Sequence, residues 1–231
     1  SIDKAGNVSE TIHFGPIMID LSPPAVTDLR SSHKERRWSS DNLVTLSWRG
    51  VDDLSGVRGY MYRFLREGEP PAGWAETGEP RLRMRLGDGR WIFEVKAVDE
   101  AGNEGEAEPV EIWIDLTPPD PPRISSETHP EGAWSSARRV KLSWRAGDIS
   151  RISSFILKID GEVRELEGDV RSTELELSDG VHIISLAAVN GSGLRSEPSR
   201  YAIKIDTSAP PPPRIESTTH REGVWTGSGD V

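Results

Sequence analysis

The segment Val140-Lys141-Leu142-Ser143-Trp144 places apolar side chains at every second position, with Lys141 and Ser143 between them. Alternation with a period of two marks a strand with one face buried and the other in water. Upstream lies His129-Pro-Glu-Gly-Ala-Trp134, and ahead of that the prolines Pro118, Pro119, Pro121 and Pro122. The same series occurs earlier as Pro23-Pro24, His33, Trp38 and Val44-Thr-Leu-Ser-Trp48, and it starts again with Pro210 to Pro213, His220 and Trp225. Trp134 follows Trp38 by 96 residues and precedes Trp225 by 91. That period suits a whole sandwich-sized domain rather than a solenoid unit of about 20–50 residues. The sequence therefore divides into residues 1–19, the last part of one domain; 20–115 and 116–206, two complete domains; and 207–231, a linker with the start of another.

Within 20–115 the pattern predicts strands at Val44–Trp48, at about Val57–Leu65, at Leu82/Met84/Leu86, at Trp91/Phe93/Val95/Ala97 and at Val110/Ile112/Ile114. Residues 66–80, rich in Gly, Pro and Glu, read as an irregular loop around Trp74. In 116–206 the matching strands are Val140–Trp144, Phe155–Ile159, Val163–Leu166, Leu175–Leu177, His182–Ala188 and Tyr201–Ile205, with Asp160-Gly161 a two-residue hairpin signal. Ile17 and Ile19 match the last strand of each copy. No helical periodicity of useful length interrupts them. The expected class is all-β, with tandem immunoglobulin-like sandwiches of about seven strands each.

Composition narrows the function classes. Hydrophobic residues make up 35% of the 231, which suits small sandwiches with one solvated face per sheet. The net charge is -10 and basic residues never cluster beyond pairs, which argues against a nucleic-acid surface. No run is long and apolar enough to span a membrane. With no cysteine, a disulfide-stapled class is excluded, and the composition suits a bacterial envelope or exported chain. There is no cysteine nucleophile, no Gly-rich nucleotide loop leading into a helix, and no cleft for paired acids, so no enzyme is expected here.

Leu46-Ser-Trp48 and Leu142-Ser-Trp144 resemble the second-strand signature of fibronectin type III domains, Gly59-Tyr60 looks like the start of that family's third strand, and Trp91-Ile-Phe-Glu-Val-Lys-Ala97 resembles its penultimate strand. The Ala-Gly-Asn turns and the Asp-x-Thr/Ser-Pro-Pro linkers are similar to those of bacterial immunoglobulin-like repeats in long cell-surface or secreted proteins. The resemblance covers nearly the whole chain and implies a non-catalytic module outside the cytoplasm, at the cell surface, in the periplasm or secreted. It also implies a tyrosine at the corner before the penultimate strand, where this sequence has Trp91 and His182. Neither has a phenolic hydroxyl, so the resemblance does not carry over the usual corner hydrogen bond.

Trp48, Trp144 and Trp91 are expected to be structural, as are His33, His129 and His220. Each of these histidines is expected to bond a backbone carbonyl while Trp38, Trp134 or Trp225 covers an end of the sandwich. The alternative is an aromatic platform for sugar or protein, with Trp38, Trp134, Trp74 and Trp113 as candidates. Trp74 is expected to fold back over the sandwich or to bind a partner; Trp113, out of phase with Ile112 and Ile114, to pack on the next domain or lie on a sheet face. In this fold Asp20, Asp52, Asp53 and Asp99, with Glu100, are expected to converge where the chain enters the first domain, and oxygen ligands of that kind suit calcium. The second copy offers Asp115, Asp148 and Asn190, a weaker set. Plain turn-making by Asp, Asn and Gly is the competing explanation. The prolines at each boundary favour extended, semi-rigid links. The expected role is a structural spacer whose partners are the neighbouring domains. A binding module, or an assembly segment of an envelope or filament complex, is the alternative.

Overall fold

The computed structural model describes residues 1–217 and 222–225; His220 lies outside them. The first sandwich contains β1 (Ala25–Ser31), β2 (Trp38–Ser39), β3 (Leu43–Val51), β4 (Val57–Arg66), β5 (Ala75–Thr77), β6 (Arg81–Arg85), β7 (Gly89–Asp99) and β8 (Glu108–Ile114). The second contains β9 (Arg123–Ser126), β10 (Trp134–Ser135), β11 (Arg139–Arg145), β12 (Ile152–Ile159), β13 (Glu162–Glu167), β14 (Ser172–Glu176), β15 (Gly180–Asn190) and β16 (Ser199–Ile205). A three-stranded sheet, β1-β3-β6 or β9-β11-β14, faces a five-stranded one, β2-β8-β7-β4-β5 or β10-β16-β15-β12-β13. The described residues form a tandem of two all-β sandwiches and contain no helix.

The alternating residues meet in the middle. Val44, Leu46, Phe93, Val95, Ala97, Ile112 and Ile114 are wholly buried in the first core, and Trp48 packs 5.6 Å from both Tyr60 and Phe93. The second core stacks Trp144 edge-on against Phe155 at 5.7 Å, among Val140, Leu142, Ile184, Leu186 and Ile203. The Asp160-Gly161 hairpin forms as a two-residue loop between paired Ile159 and Glu162, with φ of 48° and 100°. Positive φ at both central residues matches the twist of the flanking strands, and Asp and Gly tolerate it best.

Three expectations are corrected. Part of 66–80 is a strand after all: β5 pairs Ala75 with Tyr62 and Thr77 with Tyr60, because the exposed edge of β4 offers it backbone partners. Ile17 and Ile19 form no strand, since no neighbouring strand pairs with them, and both are exposed. Trp38 and Trp134 do not close the ends of the sandwiches. They begin two-residue strands in which the chain crosses to the opposite sheet and pairs parallel with the last strand, Trp38 beside Trp113 and Trp134 beside Lys204. The corner hydrogen bond is kept with different donors. The Trp91 indole N–H donates to Gly87 O at 2.9 Å, and His182 Nε2 makes the equivalent bond to Ser178 O at 2.9 Å. A ring N–H four residues beyond a carbonyl reaches it much as a phenol would.

His182 carries a consequence for pH. Its Nδ1 lies 2.5 Å from Asp160 Oδ2. Burial works against a charged ring, but the Asp160 and Ser178 contacts outweigh it and raise the imidazole pKa above its ordinary value. A histidine whose folded pKa exceeds its unfolded one contributes stability that is complete below the unfolded value and is lost as pH rises through the folded value. The second domain's urea midpoint is therefore expected to fall between about pH 6 and 8, and Asp160→Asn is expected to flatten that slope. A midpoint insensitive to Asp160→Asn across the range would contradict it.

Candidate functional site

Asp20 precedes β1, Asp52 lies in the loop from β3 to β4, and Asp99 ends β7, so the fold brings them to one end of the first sandwich. One carboxylate oxygen from each lies within 4.8 Å of the others. Asp53 is not among them and is exposed, as is Glu100. The loop turns around its predecessor: Leu54 N and Gly56 N donate to Asp52 Oδ2 at 3.1 and 2.7 Å, which leaves Asp53 on the outside.

Asp99 is fully buried and accepts from Asn103 N (2.8 Å) and Asn103 Nδ2 (2.7 Å). Burial raises its pKa, but these bonds prevail and hold it below the ordinary carboxylate value. Asp20 accepts from Ser55 N and Ser22 N, each at 2.9 Å, and Ser55 ahead of Ser22 lowers its pKa. Asn103 Nδ2 also donates to Asp20 O at 3.2 Å. Asp52 Oδ1 is shut off from solvent and accepts no hydrogen bond.

At the second junction Asp115, Asp148 and Asn190 take the corresponding places. Asn190 Nδ2 donates to Asp115 Oδ2 (2.9 Å), to Thr117 O (3.1 Å) and to Asp148 Oδ1 (3.4 Å). Its Oδ1 accepts from Ser192 N, Ser192 Oγ and Leu194 N, at 3.2, 2.9 and 2.8 Å. Asp148 Oδ1 additionally accepts from Ser150 N and Oγ. Desolvation, with Asp148 beside it, pushes the Asp115 carboxyl above its ordinary value.

The same linker is gripped from the first domain. Leu116 N donates to Asp88 Oδ1 (2.6 Å) and Thr117 Oγ1 to Asp88 Oδ2 (3.0 Å). Asp179 holds Thr207 in the same way after the second domain, with Thr207 Oγ1 at 2.9 Å and Arg138 joining at 3.0 Å. Asp88-Gly89 and Asp179-Gly180 therefore do more than turn the chain. The signal that could have found the clamp was the recurrence of Asp-Gly ahead of a linker with a threonine just after an aspartate, Asp115-Leu-Thr117 and Asp206-Thr207.

His33 Nε2 lies 2.7 Å from Asp41 O, and His129 Nε2 lies 2.8 Å from Ala137 O. Those bonds place the proton on Nε2 and leave Nδ1 to accept from the preceding hydroxyl, Ser32 at 3.0 Å and Thr128 at 2.9 Å. Each histidine thus ties the end of the first strand to the crossing segment that follows it. Trp48 and Trp144 lie in the cores.

The tryptophans considered for binding line the outer face of the larger sheets. Trp38 and Trp113 pack together at 5.5 Å, and the Arg90 guanidinium lies 4.5 Å from the Trp113 ring centre. Trp113 therefore packs on its own sheet face, filling the space with Trp38 rather than with the next domain. Trp74 is half-buried on the same sheet between Arg63 at 4.4 Å and Lys96 at 4.5 Å, instead of closing the sandwich. Cations at these distances add about 0.5–1 kcal/mol each and cover the rings. Trp134 is the open one of the four, 62% exposed, with the Lys204 ammonium 5.8 Å from its ring centre.

No protein-family model and no curated protein matches this chain. Among solved structures it is similar to the fibronectin(III)-like modules of Clostridium thermocellum CbhA, at 19% identity and TM-score 0.35, covering 85% of this chain and 100% of that one. It is also similar to the FN1–FN3 domains of chicken CNTN1, at 16% identity and TM-score 0.34 over 80% and 69% of the two chains. A two-domain fibronectin type III segment of chicken tenascin matches at 16% identity and TM-score 0.34 over 78% and 99%. At such scores the fold rests on the strand order above.

Proposed function

We propose that this chain is a structural spacer, a segment of a multidomain exported bacterial protein that sets the distance and angle between other modules. The observation that carries this reading is the linker Asp115–Thr117. Leu116 N and Thr117 Oγ1 are bonded to Asp88 of the domain before, while Asp115 Oδ2 and Thr117 O are bonded to Asn190 of the domain after. Pro118 and Pro119 follow at once and restrict the backbone further. A link fixed from both sides within a few residues transmits orientation, as a spacer requires.

Small-angle scattering tests it. The chain is expected to give one extended, narrow distance distribution, and Asp88→Ala is expected to broaden it by freeing the near side of the linker. A distribution already broad in the unaltered chain, and unchanged by Asp88→Ala, would defeat the spacer reading.

A second reading, a surface that binds carbohydrate or protein, draws on the open ring of Trp134. Saturable quenching of tryptophan fluorescence by soluble polysaccharides, absent in Trp134→Ala, is its expected sign; quenching that Trp134→Ala leaves intact would remove it.

A further inference from the structure

Two packing demands meet at the end of β15. The side chain of Asn190 must donate to Asp115, Asp148 and Thr117 O through nitrogen while accepting from Ser192 and Leu194 through oxygen, which a primary amide can do. The next residue must be glycine, because a Cβ on Gly191 would run into the Ser150 carbonyl oxygen. Together they place an Asn-Gly pair at the second junction, whereas Asn7, Asn42 and Asn103 precede Val8, Leu43 and Glu104. Asn-Gly is chemically labile. The glycine nitrogen attacks the asparagine side-chain carbonyl carbon, a C–N bond forms, and the amide nitrogen leaves as ammonia with the glycine nitrogen's proton. Water then opens the resulting succinimide at one carbonyl or the other, giving aspartate or isoaspartate. Here the fold withholds the attacking atom: Gly191 N donates to Arg151 O at 2.9 Å and to Ser150 Oγ at 3.0 Å. The carboxamide it would attack belongs to a residue 1% exposed and is bonded at both ends. Asp115 and Asp148 also oppose the negative charge that the attack builds.

We infer that Asn190-Gly191 is a modification site kept shut by the fold: Asn190 converts to aspartate or isoaspartate when the second junction opens, and the converted junction cannot re-form. Aspartate would turn a third carboxylate toward Asp115 and Asp148 and remove the donor they share. Isoaspartate would route the main chain through the side chain, adding a methylene where Asn190 pairs with Ile152 and drawing Gly191 away from Ser150. Either product releases Asp115 and Thr117 from the second domain, so an opening that ends in conversion is recorded permanently. At the first junction Asp99, followed by Glu100, holds the corresponding place and has no amide to lose. The inference stands apart from the spacer reading, because conversion is read by mass whatever shape the chain takes.

The test ages the full chain in mildly alkaline buffer, with and without enough urea to unfold it. Digestion at acid pH and mass spectrometry then follow the peptide containing Asn190, and an isoaspartyl methyltransferase labels the isoaspartate. Conversion tracks the open population, so the unfolded chain is expected to convert on the order of 100-fold faster than the folded one. Asp115→Ala frees one side of the amide and is expected to speed conversion in the folded chain about tenfold. Should that variant fail to fold, Ser150→Ala, which removes one acceptor from Gly191 N, is expected to act in the same direction. Chain converted in urea and returned to buffer is expected to exchange hydrogen faster at Leu116, Thr117 and Leu194 than unconverted chain carried briefly through the same urea. Equal conversion rates with and without urea, no conversion at Asn190 in either, or equal exchange in the converted and unconverted chains would overturn the inference.

Discussion

Trp144→Ala is expected to lower the stability of the second domain by about 3–5 kcal/mol, the usual cost of removing a buried tryptophan and leaving its cavity. Trp144 is 2% exposed and meets Phe155 edge-on, with residues of both sheets around it. That is a large share of a small domain's margin, since natural domains are stable by only about 5–15 kcal/mol. With a urea dependence of about 1 kcal/mol per molar for this size, the second transition is expected to move down by about 3 M or to vanish. The first domain's transition serves as the internal control. Trp144→Phe is expected to cost much less than volume alone suggests. The indole Nε1 is buried without a partner, and replacing an unsatisfied donor by carbon removes a penalty already present. If Trp144→Phe proved as damaging as Trp144→Ala, the indole N–H would have a bond that this packing does not provide.

The strands around Trp48 and Trp144 could be read directly from sequence because a sheet with one wet face must alternate. The crossing strands β2 and β10 could not. Two residues have no period, and their pairing depends on where the last strand runs, which is set by the rest of the sandwich. β5 was hidden for a related reason: its Gly/Pro surroundings look like a loop, and only the free edge of β4 makes Ala75–Thr77 a strand. At the corner, the residue type misled while the chemistry held, because Trp91 and His182 offer N–H where an O–H was sought. The gathering of Asp20, Asp52 and Asp99 followed from the fold's loop order. Which of Asp52 and Asp53 points inward was decided by backbone N–H groups that no side-chain pattern announces. The aromatic candidates were chosen for size, and size alone does not say that Arg63, Lys96 and Arg90 would already occupy the ring faces.

Asn190→Ala is the other substitution with a large expected effect, about 3 kcal/mol or more against the second domain. Asn190 is 1% exposed and uses both ends of its amide, the nitrogen on Asp115, Thr117 and Asp148 and the oxygen on Ser192 and Leu194. Alanine would leave buried Asp115 facing Asp148 without the amide that bonds both. The loss is expected to depend on pH in a direction the site fixes. Asp115 already titrates above its ordinary value because burial and Asp148 oppose its charge. For such a carboxyl the protonated form favours the folded state, so stability declines as pH rises from the unfolded value through the folded one. Taking away the Asn190 amide raises that folded value further. The gap between the two proteins is therefore expected to be widest near neutral pH and to shrink as pH falls through the raised Asp115 value, where its protonated carboxyl can donate in the amide's place. Urea midpoints of both proteins from about pH 4 to 8 would show it. A gap constant across that range would mean that Asn190 matters for loop geometry alone, through Ser192 and Leu194, and that the electrostatic account of this junction is wrong.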